Sequence, residues 1–129
     1  MNFGALEADF AKHANLADHS LAALCRGDSP KWVPRVDTVN DRQTGPASVR
    51  SFTPNAWGLH NMHGNVAEWT SSVFDPGPYL PAPKSGEPWR VVRGGSFRSR
   101  PQTATSASRC GYPAWIHPHD VGFRVVLEP

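Results

Sequence analysis

The stretch Asn55-Ala-Trp-Gly-Leu-His-Asn-Met-His-Gly-Asn-Val-Ala-Glu-Trp-Thr70 is the densest motif of the 129-residue sequence. Three Asn and two Gly lie between residues 55 and 65, and both residue types tolerate the left-handed backbone conformation that turns a chain sharply. We therefore predict an ordered loop that can turn its oxygens inward, a cage of the kind that suits Ca²⁺. Its oxygens would belong to the side chains of Asn61 and Glu68 and to the carbonyls of Gly64 and Val66.

The composition around this motif is that of a loop-rich globular domain. The 13 Pro and 11 Gly are about as numerous as Val, Leu, Ile and Phe together, so the expected core is thin. The 13 basic and 11 acidic residues leave a formal charge of only +2, which argues against a nucleic-acid-binding module. No apolar run approaches the roughly 18 residues that a membrane span requires.

Regular secondary structure is expected in only a few places. Apolar spacing predicts a helix over residues 3–14, and Asp18 is expected to cap a second short helix that runs to Ala23. A strand ended by a glycine turn is predicted over 89–97, and a final strand is predicted over 120–127. Between these elements, Pro, Gly and short polar residues predict ordered loop over 30–56 and an irregular connector over 76–89.

The two cysteines, Cys25 and Cys110, lack the spacing of metal ligands, so reduced thiols and one disulfide are both open. The residues after Met1 lack the basic and apolar regions of a signal peptide. The sequence therefore does not assign a compartment.

Three ordered segments together resemble the formylglycine-generating enzyme, or sulfatase-modifying factor, family. They are the stretch 55–70, Arg93-Gly-Gly-Ser-Phe97 and Asp120-Val-Gly-Phe-Arg-Val-Val126, and with Asn15-Leu-Ala-Asp18 the resemblance spans about residues 10–127. It implies an α+β fold of the irregular, loop-rich, C-type-lectin-like kind. It also implies that residues 1–129 are one domain truncated on its N-terminal side, because the family's preceding half is not matched.

The resemblance implies two Ca²⁺ sites. The first would use the Asn15 side chain, the Leu16 carbonyl, the Asp41 carboxylate and the Gln43 carbonyl. The second is the set Asn61, Gly64, Val66 and Glu68. Cations that bind loop oxygens would order a chain with few large aliphatic residues. The alternative is that Asp41 and Glu68 are ordinary surface carboxylates.

At the positions of the family's catalytic residues, this sequence differs from the active members. Active members resemble one another in a cysteine pair that binds copper and activates oxygen against a substrate cysteine, at positions that here hold Ser99 and Ala104. Cu(I) requires thiolate ligands, so we expect neither copper nor formylglycine-generating activity. Ser96 is retained at a family active-site position, whereas Ala67 replaces the family's Trp. We expect Cys110 to be buried or inert.

Two function classes remain open. The first is a non-catalytic, calcium-stabilised binding or interaction module. The second is part of an oxidoreductase, sulfatase-activating or sulfoxide-synthase-like, whose reactive residues lie on a missing segment or a partner chain. Metal binding by the loop histidines is a weaker alternative; these are His60, His63, His117 and His119.

The expected partner is a protein or peptide, either the missing N-terminal half or another chain. Because the expected core is thin, some large apolar side chains are expected to stay on the surface, where a partner could cover them. They are Trp57, Trp69, Phe97 and Phe123. An anionic ligand could instead meet a groove lined by Arg98, Arg100 and Arg109, or these arginines form a solvated basic edge.

Overall fold

A computed structural model describes residues 9–24, 34–78 and 87–127. In these residues it shows one four-stranded mixed sheet, one short 3₁₀ helix and long ordered loops. The strands are β1 (Ala67–Val73), β2 (Trp89–Arg93), β3 (Arg109–Pro113) and β4 (Val121–Phe123), and the helix spans His19–Leu24. This small, loop-rich architecture confirms the expected fold class. None of the described residues forms a helix that is long and apolar enough to cross a membrane.

The sheet has the order β3-β2-β1-β4. β1 and β2 are antiparallel, as are β2 and β3, whereas β4 runs parallel to β1. The strand and glycine turn predicted over 89–97 are confirmed, because β2 ends at Arg93 and both Gly94 and Gly95 then adopt positive φ. The strand predicted over 120–127 is shorter than expected, since only Val121–Phe123 pair with β1.

The predicted cap at Asp18 is confirmed, although the helix it caps is a 3₁₀ helix. Asp18 Oδ1 accepts a hydrogen bond from the Ser20 amide at 2.7 Å, and Oδ2 accepts one from the Asp41 amide. The predicted helix over 3–14 begins outside the described residues. In its described part the chain makes a single turn, in which the amides of His13 and Ala14 both donate to the Phe10 carbonyl.

The core is divided into two small clusters. One contains Phe10, Ala14, Leu16, Val39 and Ala104, and the other contains Ala17, Leu21 and Phe97. The expectation that Phe97 is exposed is therefore wrong, because its ring closes the second cluster. Trp57 and Phe123 are exposed as expected, whereas Trp69 is half-buried and meets the Tyr112 ring edge-on.

Asn65 joins the loops that carry the predicted sites. Its amide donates to the Asn15 carbonyl at 2.7 Å, and its carbonyl accepts from the Phe97 amide at 2.8 Å. Its side chain accepts from Asn15 Nδ2 and exchanges two hydrogen bonds with the backbone of Ala47. Since Asn65 is itself buried, these bonds are shielded from water.

The approach of Asn15 to this loop depends on Gly64. A Cβ atom on Gly64 would lie 2.1 Å from the Asn15 carbonyl oxygen and 2.8 Å from Leu16 Cδ2. Gly58 has a similar φ, +74° against +76° for Gly64, but a Cβ there would meet nothing within 4 Å. Substitution of Gly58 thus measures the cost of backbone strain alone, whereas substitution of Gly64 adds the cost of a steric clash.

We predict that Gly64→Ala lowers the free energy of unfolding by about 3 kcal/mol or more, whereas Gly58→Ala costs only the ~1–2 kcal/mol of a left-handed L-residue. Urea unfolding followed by tryptophan fluorescence measures both values. Equal losses in the two variants would contradict the close packing of Gly64 against Asn15.

Candidate functional site

The first predicted Ca²⁺ set is brought together in the structure. Asn15 and Asp41 are buried, with 1% and 9% of their surface exposed. The Gln43 amide donates to Asp41 Oδ1 at 2.8 Å, and the Leu16 amide also interacts with the Asp41 carboxylate. Arg42 adopts φ +64°, a left-handed turn between the two ligand positions Asp41 and Gln43. The alternative in which Asp41 is a surface carboxylate is therefore wrong.

Two oxygens of this set lack a hydrogen-bond partner among the described residues. They are Asn15 Oδ1 and Asp41 Oδ2, and both are buried. A buried acceptor without a donor is costly, at about 1–3 kcal/mol. Such atoms call for a ligand, and amide and carboxylate oxygens are donors that Ca²⁺ prefers.

The charge on Asp41 is also poorly compensated. The pKa of Asp41 is raised to about 7, mainly by burial and also by the neighbouring Asp18 carboxylate, whereas the amides of Gln43 and Leu16 act in the opposite direction. A cation at this position would favour the ionised form.

The second predicted set is only partly assembled. Asn61, Val66 and Glu68 line one cavity of about 250 Å³, but Gly64 is not part of its wall. Asn61 adopts φ +54°, and its Nδ2 donates to the Val49 carbonyl. Its Oδ1 is buried without a partner among the described residues, like the two oxygens of the first set.

Arg124 engages the carboxylate of the second set. Its guanidinium lies 2.7 Å from Glu68 Oε1 and donates to the His60 carbonyl at 2.9 Å. The hydrogen bond to Glu68 raises the pKa of Arg124. A cation in this cavity would share Glu68 with Arg124, so the residues of the first set fit Ca²⁺ better than those of the second.

Ser99 and Ala104, the positions at which the resemblance implies cysteines in active relatives, lie on either side of Gly95. A Cβ on Gly95 would lie 2.8 Å from Ala104 Cβ and 3.2 Å from Ser99 Cβ. Ser96 is adjacent in sequence to Gly95 and buried, and its Oγ donates to Asp120 Oδ2 at 2.8 Å. The two side chains are therefore close together, and neither carries a thiol.

A small cavity of about 120 Å³ opens beside these positions. Its wall includes Ser96, Ser99, Arg109, Cys110 and Tyr112. Cys110 is a free and exposed thiol, so the expectation that it is buried is wrong, whereas the alternative that it is inert stays a prediction. It was misjudged because nothing in the sequence indicated β3, whose pairing with β2 sets the position of Cys110.

The three candidate groove arginines are not assembled into one groove. Arg109 lines the small cavity, whereas Arg98 and Arg100 do not. Arg98 Nη1 instead lies 2.7 Å from His119 Nε2. The predicted histidine metal site is not formed either, because no group of three or more His, Cys, Asp or Glu residues could hold a metal within the described ranges.

A further cavity among the described residues was not predicted from the sequence. It measures about 390 Å³ and is lined by Trp57, Met62, His63, Arg93 and others. Trp57 lies on a turn closed by Asn55, whose Oδ1 accepts from the amides of Trp57 and Leu59. The Asn-x-x-Gly spacing indicates this turn. Nothing in the local sequence indicates that Arg93 of β2 lines the same cavity.

Comparison with known proteins agrees with this geometry. Residues 4–129 match the sulfatase-modifying factor enzyme 1-like domain. The chain belongs to this family. Its formylglycine-generating enzyme relatives include that of Streptomyces coelicolor, 41% identical over 50% of this chain and 22% of the relative, and that of Thermomonospora curvata, 34% identical over 72% and 35%.

A further relative is the mouse protein named inactive C-alpha-formylglycine-generating enzyme 2, 37% identical over 50% of this chain and 18% of the relative. Among solved structures, PvdO from Pseudomonas aeruginosa superposes with a TM-score of 0.57 at 24% identity, over 88% of this chain and 38% of PvdO. The chain thus spans about a third or less of the curated relatives, and this likeness to PvdO supports the fold alone.

The free energy of unfolding of this chain should depend on pH through Asp41. A carboxyl whose pKa rises from 3.8 to about 7 on folding is stabilised in its protonated form, so its contribution falls as pH rises through that window and is constant above it. In EDTA, Asp41→Asn should therefore gain stability relative to the wild type as pH rises from about 4 to about 7. Urea unfolding at several pH values measures this gap, and a gap independent of pH would contradict the assignment.

Proposed function

We propose that this chain is a calcium-stabilised member of the family that does not convert cysteine to formylglycine and that acts as a binding or interaction module. The observation that carries the proposal is the adjacency of Ser99 and Ala104 around Gly95. The resemblance implies copper-binding cysteines at these two positions in active relatives, and neither side chain of this chain can supply a thiolate to Cu(I).

The neighbouring groups do not replace the missing pair. Ser99 Oγ accepts a hydrogen bond from the Ser96 amide, and Ser96 Oγ donates to Asp120. Cys110 offers one thiol in the same cavity, whereas the family's site uses two. A family member named inactive, the mouse relative, is consistent with a non-catalytic role.

The second candidate is a part of an oxidoreductase that takes its reactive groups from elsewhere. The observation that favours it is coverage, because this chain matches only 18–35% of the curated relatives described above. In that case Ser96, Arg109 and Tyr112 would form one wall of a site, and thiols on another segment or chain would complete it.

Restoring both thiols tests the proposal. We expect the wild-type chain to bind no Cu(I) tightly and Ser99→Cys/Ala104→Cys to bind one equivalent, because the two positions are neighbours. Competition with a chromogenic Cu(I) chelator measures binding, and Ser99→Cys alone is the matched control. Tight Cu(I) binding, or aldehyde formation on a Cys-x-Pro-x-Arg peptide by the wild-type chain, would contradict the proposal.

The calcium part of the proposal is supported by the three unpartnered buried oxygens, on Asn15, Asp41 and Asn61. The cation would be held first by Asn15, Leu16, Asp41 and Gln43. It would supply positive charge beside the carboxylates of Asp41 and Asp18. Its role would be structural, since it would join the loop around residue 41 to the segment that holds Asn15.

Calcium should therefore raise the thermal stability of the chain. At a hundredfold excess over Kd the gain is about 2.7 kcal/mol, and it should disappear in Asp41→Asn. Asp37→Asn is the matched control, because Asp37 lies in the same loop but is exposed and paired with Arg35. Melting in Ca²⁺ against EDTA measures the gain. An unchanged melting temperature in the wild type, or an equal loss in both variants, would contradict this site.

A further inference from the structure

The cavity that Trp57 and Arg93 line is large enough for a small molecule. Its volume of about 390 Å³ falls within the roughly 300–1,000 Å³ of small-molecule sites. Its wall combines an aromatic ring, the Met62 thioether and the Arg93 guanidinium. It is not the smaller cavity that Ser99 and Cys110 line.

Trp57 presents an aromatic surface to this cavity from a fixed turn. It is 81% exposed, so most of its ring is in contact with water in the free chain. Asn55 closes the turn, because its Oδ1 accepts from the amides of Trp57 and Leu59 and its carbonyl accepts from the Gly58 amide. Since the backbone that carries the ring is already ordered, stacking on a flat ligand costs little further ordering.

Arg93 supplies a positive charge that no carboxylate of the described ranges neutralises. Its Nη2 donates to the Ser106 carbonyl, which holds the guanidinium at the cavity wall. Its partners across the sheet are Glu68 on β1 and Arg109 on β3. Directly opposite residues of antiparallel strands share one face, so Arg109 adds a like charge beside Arg93. An anion would relieve this excess of positive charge.

The other titratable residues of the wall do not offset Arg93. Glu68 also lines the cavity, but Arg124 Nη2 lies 2.7 Å from its Oε1 and balances its charge. Burial lowers the pKa of His63, so this side chain is uncharged at neutral pH. The charge balance of the wall therefore favours an anion over a cation.

We propose that this cavity binds a small aromatic carboxylate, whose ring stacks on Trp57 and whose carboxylate bonds Arg93. A guanidinium has several N–H donors, of which the Ser106 carbonyl takes one, and they match a carboxylate in geometry as well as in charge. Met62 would add a soft apolar contact to the ring. The inference rests on the proposed role as a binding module and names its ligand class.

Other small ligands fit the wall less well. An inorganic anion would meet Arg93 but leave Trp57 in water. An uncharged aromatic molecule would cover the ring but leave the guanidinium without a counter-charge. An aromatic amine would bring a second positive charge toward Arg93, because the Glu68 carboxylate is already bonded by Arg124.

N-acetyl-L-tryptophan and N-acetyl-L-tryptophanamide are the probes that test the proposal, because they share the indole ring and differ in the carboxylate. We expect the wild-type chain to bind the carboxylate at least about fivefold more tightly than the amide. An NMR titration of the protein's backbone amides measures both dissociation constants. The amides of Trp57 and Gly94, which line the cavity, should shift with both probes.

Two variants separate the charge from the ring. Arg93→Gln should remove the preference for the carboxylate, so that both probes bind with the affinity of the amide. Arg90→Gln is the matched control, because Arg90 lies on the same strand and donates to the Ser71 carbonyl but is not part of the cavity wall. It should keep the preference within about twofold. Trp57→Ala should weaken both probes at least about fivefold, and its melting temperature should be unchanged because Trp57 is exposed.

Three results would overturn the proposal. They are equal affinity of the wild-type chain for the two probes, absence of binding of either probe, and a preference that Arg90→Gln reduces as much as Arg93→Gln does. Tighter binding of tryptamine than of N-acetyl-L-tryptophan would identify a cation site and overturn it as well. Copper and calcium binding are measured on the chain without these probes, so the proposed function fails or holds independently of this result.

Discussion

The hydrogen-bonded junction between Asn65 and Asn15 is the constraint on which the rest of the structure depends. Few helices or long strands are present in the described residues to position the loops, so their backbone groups must be satisfied by side chains. Asn65 does this for three segments at once, through Asn15, Ala47 and Phe97. It can do so because it adopts φ +66°, and because Gly64 before it leaves no side chain against Asn15.

This junction also explains why the candidate sites are close in the fold although they are distant in sequence. Asn15 donates from Nδ2 to Asn65 and Gly45, which leaves its Oδ1 as the buried acceptor of the first calcium set. The Phe97 amide is bonded to the Asn65 carbonyl, which anchors the turn that brings Ser99 toward Ala104. A change at Asn65 would therefore affect the predicted calcium ligands and the pair Ser99 and Ala104 together.

The parts of this arrangement that could be predicted from the sequence are those with a local signal. The Asn-Gly pattern indicated left-handed loop, Asp18 indicated a helix cap, and the family resemblance indicated Asn15, Asp41 and Asn61, each of which has an unpartnered buried oxygen. The parts that could not be predicted are set by distant partners. Cys110 is placed by its pairing with Val92 of β2, and Glu68 meets Arg124 from 56 residues away.

Arg124 also bears on which of the two predicted calcium sets is better suited to a cation. Its guanidinium bonds the Glu68 carboxylate and the His60 carbonyl, so a cation in the second set would compete with a positive charge that is already present. Within the described residues, the groups that contact the Asp41 carboxylate are backbone amides and the Asp18 carboxylate, and none of them is cationic. A cation in the first set would therefore offset the burial of the Asp41 carboxylate without having to displace another positive charge.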